Sequence, residues 1–192
     1  LSIGQKLTVE QRVSKCVVGI MENPKYVALA GVLMVGERTV VDDVPTACTD
    51  GKNEQYGREF CEKLNDAELR FLILHENYHK LYRHLITWQH LAKDNAQLAN
   101  MAMDYVINLK LVADNHDNFA TMTGELAKGC FDVKYKGWDT AKVFHDLKEN
   151  PPPQDDSLDG HDWDSAKDMT PDEKDALSRE IDEAIRQGAM IA

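Results

Sequence analysis

The residues best suited to chemistry lie between Phe71 and His90, where His75, Glu76 and His79 occur in the order H-E-x-x-H. On an α-helix, residues four positions apart lie on one face, about 40° apart around the axis. Two imidazoles so placed can hold one zinc ion, and the glutamate between them can act as a general base on a water at that ion. The spacing therefore predicts a metal-dependent hydrolytic site.

The residues around this motif predict a half-buried helix. On a helical wheel, apolar side chains fill one broad arc that includes both histidines, with Glu76 at its edge. His84 would point almost opposite His75 on an unbroken helix, which makes it a poor third ligand. A lone histidine on an apolar face is more often a hydrogen-bonded core residue, but two at this spacing with a glutamate after the first favour a metal site.

A second buried helix is predicted from residue 95 to about residue 113. Apolar residues surround most of its axis, and the stripe formed by Asn100, Asp104 and Asn108 interrupts them at i, i+4 and i+8. A buried carboxylate is costly unless it is paired or binds a metal, so we expect this stripe to face the two histidines. Asp104 is the predicted third ligand, and the two asparagines are predicted to orient the ligands. The alternative is a carboxylate satisfied by helix caps or by an arginine such as Arg83.

Hydrolysis would also need a donor that stabilises the negative oxygen of the transition state. Tyrosines and histidines near the motif or in loop-like sequence could supply it. The sequence does not choose among the candidates Tyr78, Tyr82, His116 and His161.

Length and composition narrow the class of protein. A chain of 192 residues can form one domain with a substantial core, and its net charge of −11 argues against a nucleic-acid partner or an anionic membrane surface. No apolar run approaches the roughly 20 residues needed to span a bilayer. The four cysteines are widely spaced without a C-x-x-C pair, which favours reduced thiols in a cytoplasmic protein.

The remaining elements follow from local patterns. Thr8 and Gln11 predict a capped helix that ends near Asn23, and a sheet is expected before the motif helix, which itself begins at an Asn65–Glu68 capping box. The predicted strands are Val32–Val35 and Thr39–Val41, followed by a hairpin of Thr46–Thr49 and Asn53–Tyr56 around Asp50–Gly51; two further helices are expected at Thr140–Lys148 and from Thr170 onward. We therefore expect one domain over residues 1–150, with residues 151–192 forming an acidic loop and a C-terminal helix packed on it.

Four segments in order resemble a known family, the metallopeptidase domain often found upstream of a von Willebrand A-type domain. They read TACTDGKNEQYGREF, LNDAELRFLILHENYHKLYRH, NMAMDYVIN and DVKYKGWDTAKVFHDL. Family members share a T-A-x-T-D-G stretch, an H-E-x-x-H-x-x-x-x-H helix and an A-x-D-x-x-I-N helix. The resemblance covers roughly Tyr26 to Leu147, and is to a short stand-alone version of the kind that phages and bacteria encode.

The resemblance implies an α+β, zincin-like fold in which a small twisted sheet packs on the motif helix and a second buried helix. Together with the residue patterns, it predicts a zinc-dependent metallopeptidase that cleaves a protein or peptide substrate in the cytoplasm of a bacterial or phage-infected cell. His75, His79 and Asp104 would hold the zinc ion, and Glu76 would be the general base. The alternative is a non-catalytic, metal-stabilised binding protein, for example a viral protein that sequesters a host factor.

Overall fold

A computed structural model describes residues 6–151, Trp163 and residues 168–192. Within these residues the chain forms eight α-helices and three short strands. The strands are β1 (Arg38–Val41), β2 (Ala47–Thr49) and β3 (Glu54–Gly57). The helices are α1 (Val9–Glu22), α2 (Ala30–Leu33), α3 (Arg58–Lys63), α4 (Asp66–Leu81), α5 (His84–Thr87), α6 (Gln89–Asp114), α7 (Thr140–Glu149) and α8 (Pro171–Ile191).

Local capping chemistry sets where the main helices begin. Both predicted capping boxes are present, at Thr8 for α1 and at Asn65 for α4, and Thr170 forms a third one in front of α8. In each box the cap side chain accepts a hydrogen bond from a backbone N–H that has no partner within the helix. The predicted starts of these helices are confirmed.

The sheet has the order β1-β3-β2. The predicted hairpin is confirmed, because β2 pairs antiparallel with β3, while β1 lies parallel to β3 on its other edge. The predicted strand at Val32–Val35 is wrong: this segment begins in α2, and Val32 and Leu33 are buried. Packing against α8 outweighs the β-propensity of the valines, which is a preference for a pleated, half-buried surface and depends on context.

Helix α4 lies at the centre of the molecule. Ala47 and Tyr56 of the sheet belong to the same buried cluster as Leu69 and Ile73 of α4, and residues of α1 also belong to it. On its other side α4 contacts α6, which in turn packs against α7. The chain is therefore a mixed, mostly helical α+β protein in which a small sheet packs on the motif helix, as predicted.

A buried ionic network ties the last turn of α4 to the sheet. Lys80 is fully buried and donates hydrogen bonds to Glu54 (2.5 Å) and to the carbonyl of Val35 (2.9 Å). Glu54 also accepts bonds from Arg38, its neighbour in β1, and from the hydroxyl of Tyr56. Burial alone would raise the pKa of Glu54, but the positive charges of Lys80 and Arg38 outweigh it and lower that pKa. These bonds fix the position of α4 relative to the sheet at Lys80, the residue that follows His79.

The C-terminal helix α8 packs very closely on the first part of the chain. A side chain at Gly31 would lie 2.0 Å from the carbonyl oxygen of Ala184, and one at Gly188 would lie 2.0 Å from that of Ala28. Ile181 is fully buried in a small hydrophobic cluster with Val32, Val35, Leu177 and Ala184. The C-terminal helix thus packs on the rest of the domain, and the proposed boundary at residue 150 stays a prediction.

None of the described helices is by itself long and apolar enough to cross a membrane. A bent pair, Val9–Glu22 with Val27–Leu33, meets the criteria of length and composition at an angle of 119°. In this structure the buried residues of that pair lie in the core.

Replacing Gly31 by alanine should destabilise the protein by about 1–3 kcal/mol, because the added methyl group forces two backbones apart in a packed interface. Gly19 offers a matched control, since it lies inside α1 with open space where its side chain would be. Gly19→Ala should stabilise the protein by about 0.5–1 kcal/mol through helix propensity alone. Urea unfolding of the two variants tests the contact, and a Gly31→Ala protein as stable as the wild type would contradict it.

Candidate metal centre

Helix α4 presents the two motif histidines on one buried face. His75 is 5% exposed and His79 is fully buried, and their ring centroids are 4.8 Å apart. The Nε2 atoms of the two rings approach each other to 3.1 Å. The four-residue spacing on a straight helix therefore brings both imidazoles to one point inside the protein.

Helix α6 brings a carboxylate to the same point. Asn95 has non-helical backbone angles and bends the helix there, and the turns beyond it carry the polar stripe that the sequence predicts. Asp104 is 2% exposed, and its Oδ1 lies 3.5 Å from Nε2 of His75 and 3.4 Å from Nε2 of His79. The structure thus brings His75, His79 and Asp104 together as a group that could hold a metal ion.

The size of this triangle of ligand atoms fits a small divalent ion. Bonds of 2.0–2.1 Å at tetrahedral angles separate neighbouring ligand atoms by about 3.3 Å. The three observed separations are 3.1, 3.4 and 3.5 Å. Two imidazoles and one carboxylate are also a donor set that suits zinc, and three protein ligands leave a position for water or substrate.

Asn108 fixes the orientation of the first histidine. Its Oδ1 lies 2.8 Å from Nδ1 of His75, while its Nδ2 donates a hydrogen bond to the carbonyl of Cys130 at 3.0 Å. The second bond determines which end of the amide faces His75, and an amide oxygen can only accept. The proton of the neutral imidazole is therefore on Nδ1, and Nε2 carries a lone pair that faces the triangle.

His84 fixes the orientation of the His79 ring, although the sequence analysis placed His84 on the opposite side of the helix. Nδ1 of His84 lies 3.1 Å from Nδ1 of His79, and the side chain is buried. A ligand role for Nε2 of His79 requires the proton on Nδ1, which can then be donated to His84. The prediction that His84 faces away assumed an unbroken helix, whereas α4 ends at Leu81.

The break after α4 depends on a left-handed residue. Arg83 has φ 51° and ψ 39°, and the chain then turns back into α5 with His84 at its first position. Such a conformation is unfavourable for a residue with a side chain and needs support from its surroundings. Arg83 forms an ion pair with Asp182 of α8, so the C-terminal helix supports the turn that places His84.

Glu76 lies next to the ligands and is completely buried. On the sheet side it is close enough to affect the network around Lys80. Burial, then Glu54 and to a smaller extent Glu76 raise the pKa of Tyr56 well above its usual value. The Glu76 carboxylate is therefore buried on the residue that follows His75 and close enough to act electrostatically on the sheet side, in a site from which solvent is excluded.

The other predicted site residues that the structure describes make different contacts. Asn100 accepts a hydrogen bond of 2.5 Å from Nε1 of Trp163. Tyr78 is buried in the core, where it packs against Tyr82 at 5.5 Å, and burial raises its pKa. His116 is exposed in a turn after α6, and His161 lies outside the described residues.

A pocket adjoins the triangle of ligand atoms. His75, Asp104 and Asn108 form one wall, and the cavity has a volume of about 20 Å³, room for about one water molecule. The other walls come from α4, from the segment before β2 and from the segment between α6 and α7; they consist of Phe71, Leu72, Thr46, Met122, Leu126 and Cys130. A ligand in this pocket would contact two of the three proposed metal ligands.

Two histidines and a carboxylate on neighbouring helices, with a buried glutamate beside the first histidine, define a candidate metal-dependent site. Residues 10–190 match the family model described as "Putative metallopeptidase domain". The match spans nearly the whole chain, so the protein belongs to this family, and the resemblance inferred from the sequence motifs is confirmed. It also includes α8, which lies beyond the segments that carry the resemblance. Comparison with curated proteins gave no match, and comparison with solved structures gave none either.

Proposed function

We propose that this protein is a zinc-dependent metallopeptidase with a zincin-like active site. The observation that carries the proposal is the buried triangle of His75, His79 and Asp104 with Glu76 beside it. His75 and His79 would bind zinc through Nε2, and Asp104 through a carboxylate oxygen. The substrate class follows from the family, whose description names a peptidase.

Both histidine ligands are held by a neighbouring side chain that suits them to this role. Nδ1–H of His75 donates a hydrogen bond to Asn108. In the proposed ligand tautomer, Nδ1–H of His79 donates one to Nδ1 of His84. Such partners fix the ring orientation and increase the basicity of the coordinating nitrogen. The site is therefore preorganised on two helices before any ligand binds.

Zinc held by His75, His79 and Asp104 would supply Lewis acidity, which polarises the substrate carbonyl and makes the attacking water more acidic. Glu76 takes the proton from the attacking water and later gives it to the leaving amine nitrogen. Its burial strengthens this role, because a carboxylate interacts more strongly with charge and protons where water is excluded. Overall, the water adds OH to the carbonyl carbon and H to the amine nitrogen as the C–N bond breaks, and Glu76 returns to its starting state.

Iron is the main competitor for this donor set, since two histidines and one carboxylate also bind non-haem iron in oxygenases. Two observations favour zinc and hydrolysis. The ligand separations average close to those of a tetrahedral site, and a second buried carboxylate, Glu76, follows the first ligand histidine in the H-E-x-x-H order that a general base requires.

The alternative function is a metal site that only stabilises a binding protein. Structural zinc sites are usually closed by four protein ligands and need no general base. The group found within the described residues has three ligands and adjoins a pocket. These features favour catalysis, and the assay below distinguishes the two functions.

Peptide hydrolysis should depend on zinc. We expect the zinc-loaded protein to generate new termini in a peptide library derived from a proteome, detected by mass spectrometry. Cleavage should stop after treatment with a chelator and return with one equivalent of zinc, whereas magnesium should not restore it. A zinc-loaded protein that cleaves no peptide in the library would favour the non-catalytic alternative, and cleavage that persists without metal would exclude zinc catalysis.

A further inference from the structure

Strand β1 forms one edge of the sheet, and its outer side is unpaired. The backbone N–H of Glu54 in β3 donates a hydrogen bond to the carbonyl of Glu37, so Glu37 and every second residue after it face β3. Backbone groups alternate in direction along a strand, so those of Arg38, Val40 and Asp42 point away from β3. Within the described residues these three backbone segments form no hydrogen bond. Unpaired groups at such an edge are a template for another strand.

An apolar groove lies between this free edge and α1. Its lining includes Val13 and Val17 of α1, which are buried in the core, and Val40 of β1, which packs against that core. The groove has a volume of about 370 Å³, and two of its large apolar side chains are exposed, Val18 at 51% and Met34 at 68%. Because β1 itself lines the groove, a strand added beside β1 would point alternate side chains into it. Such a strand would cover apolar surface and pair the free edge at the same time.

We propose that a second copy of this chain covers this edge, with the two β1 strands paired antiparallel about a twofold axis. An edge that meets its own copy is the usual interface of soluble homodimers. The pairing joins the two three-stranded sheets into one continuous sheet. It also brings the exposed apolar side chains at the two grooves out of water, which stabilises the contact.

Charge selects the register of this pairing. When the twofold axis passes beside Val40, the backbones of the two Val40 residues bond to each other, and Arg38 lies opposite Asp42 of the second copy on both sides of the axis. Opposite charges directly across an antiparallel pair are favourable. Centring on Arg38 would bring two positive charges together, and centring on Thr39 would leave Arg38 and Asp42 opposite uncharged residues. The side chain of Asp42 is 81% exposed, so it is accessible to a second chain.

The proposed interface lies on the opposite edge of the sheet from the candidate metal centre. In the order β1-β3-β2, the strand near that centre is β2, which begins just after Thr46, a residue that lines the cavity beside the ligand triangle. Pairing through β1 therefore leaves the triangle as it is. The inference does not depend on the proposed function.

Sedimentation equilibrium of the full chain over a series of concentrations tests the interface. The wild-type protein should approach twice the mass of one chain as the concentration rises. The dissociation constant should be the same with zinc and with a chelator, because β1 lies away from the ligand triangle. A wild-type protein that keeps the mass of one chain at every concentration would overturn the inference and leave the metallopeptidase proposal standing.

Val40→Pro removes the outward N–H and should raise the Kd of the dimer by at least about tenfold, because two hydrogen bonds between the strands are lost, one from each copy. Proline is tolerated on an edge strand where the missing N–H would face outward, so the fold should be kept, which circular dichroism checks. Val40→Thr is the control, since it keeps both the N–H and the β-branched shape, and its Kd should stay close to that of the wild type.

Met34→Lys tests the groove separately and gives a second variant if Val40→Pro does not fold. It places a charge where apolar surface is covered, so it should also weaken the dimer. Met190→Lys is the matched control, because Met190 is 85% exposed and lies outside the groove lining. A dimer whose Kd is unchanged in both Val40→Pro and Met34→Lys would form through another surface, and the assignment to β1 would be wrong.

Discussion

Glu76→Gln should abolish most of the peptide hydrolysis, by at least ~10²-fold in kcat/KM, while the protein keeps its fold and its zinc. The amide has nearly the same shape as the carboxylate but cannot take a proton from water. Because Glu76 is proposed to act on the water and not to bind the metal, the affinity for zinc should change little. Hydrolysis of a cleaved library peptide and the zinc content of the purified variant measure the two effects separately.

The control for this experiment is Glu62→Gln, which makes the same chemical change on an exposed position of α3. It should hydrolyse peptides at the wild-type rate. Unchanged hydrolysis in Glu76→Gln would remove the glutamate from the mechanism. Loss of zinc in that variant would mean that Glu76 is a ligand rather than a base.

Asp104→Ala should lower the affinity for zinc by more than about 100-fold, because it removes one of three ligands. Loss of a hydrogen-bonding partner behind a ligand typically costs 10–100-fold, and loss of the ligand itself should exceed that. Competition with a chromogenic zinc chelator measures the affinity, and circular dichroism checks that α6 remains folded.

Three further variants show how the loss of zinc affinity in Asp104→Ala compares with the loss caused by other substitutions. His84→Ala removes the partner of His79 and should cost about 10–100-fold in zinc affinity. Asp114→Ala changes the same residue type at the end of α6, and His116→Ala removes an exposed histidine; neither should affect zinc binding. If His84→Ala costs more than Asp104→Ala, the ligand set proposed here is wrong.

Much of the fold follows from short-range patterns in the sequence. The capping boxes at Thr8 and Asn65 mark the starts of α1 and α4, and the Asp50–Gly51 turn marks the hairpin. The polar stripe of α6 was also predictable, because an aspartate amid apolar residues needs a partner. These features depend on residues close together in the sequence or on one helix face.

The features that the sequence did not reveal depend on distant contacts. Arg83 adopts a left-handed conformation supported by Asp182, about one hundred residues later, and no local signal marks the break that this causes. The helical wheel therefore placed His84 on the wrong side. His84 is the last histidine of the family pattern H-E-x-x-H-x-x-x-x-H, and this match was the sequence feature that could have indicated a role for His84 in the site.

The absence of the predicted strand at Val32–Val35, which begins in α2 instead, and the partner of Asn100 have the same kind of explanation. Two valines favour a strand locally, yet α8 covers this segment and Gly31 permits the close approach. Asn100 continues the polar stripe, but Trp163 forms its hydrogen bond. In both cases the deciding contact comes from residues beyond position 150, a region whose composition indicated an accessory tail.

The most direct test of the central claim is anomalous diffraction at the zinc absorption edge from crystals of the zinc-loaded protein. We predict one strong peak about 2.0–2.1 Å from Nε2 of His75, from Nε2 of His79 and from a carboxylate oxygen of Asp104. Glu76 should lie outside bonding distance of that peak. Absence of zinc from this triangle, or a peak with a third histidine bound in place of Asp104, would contradict the account.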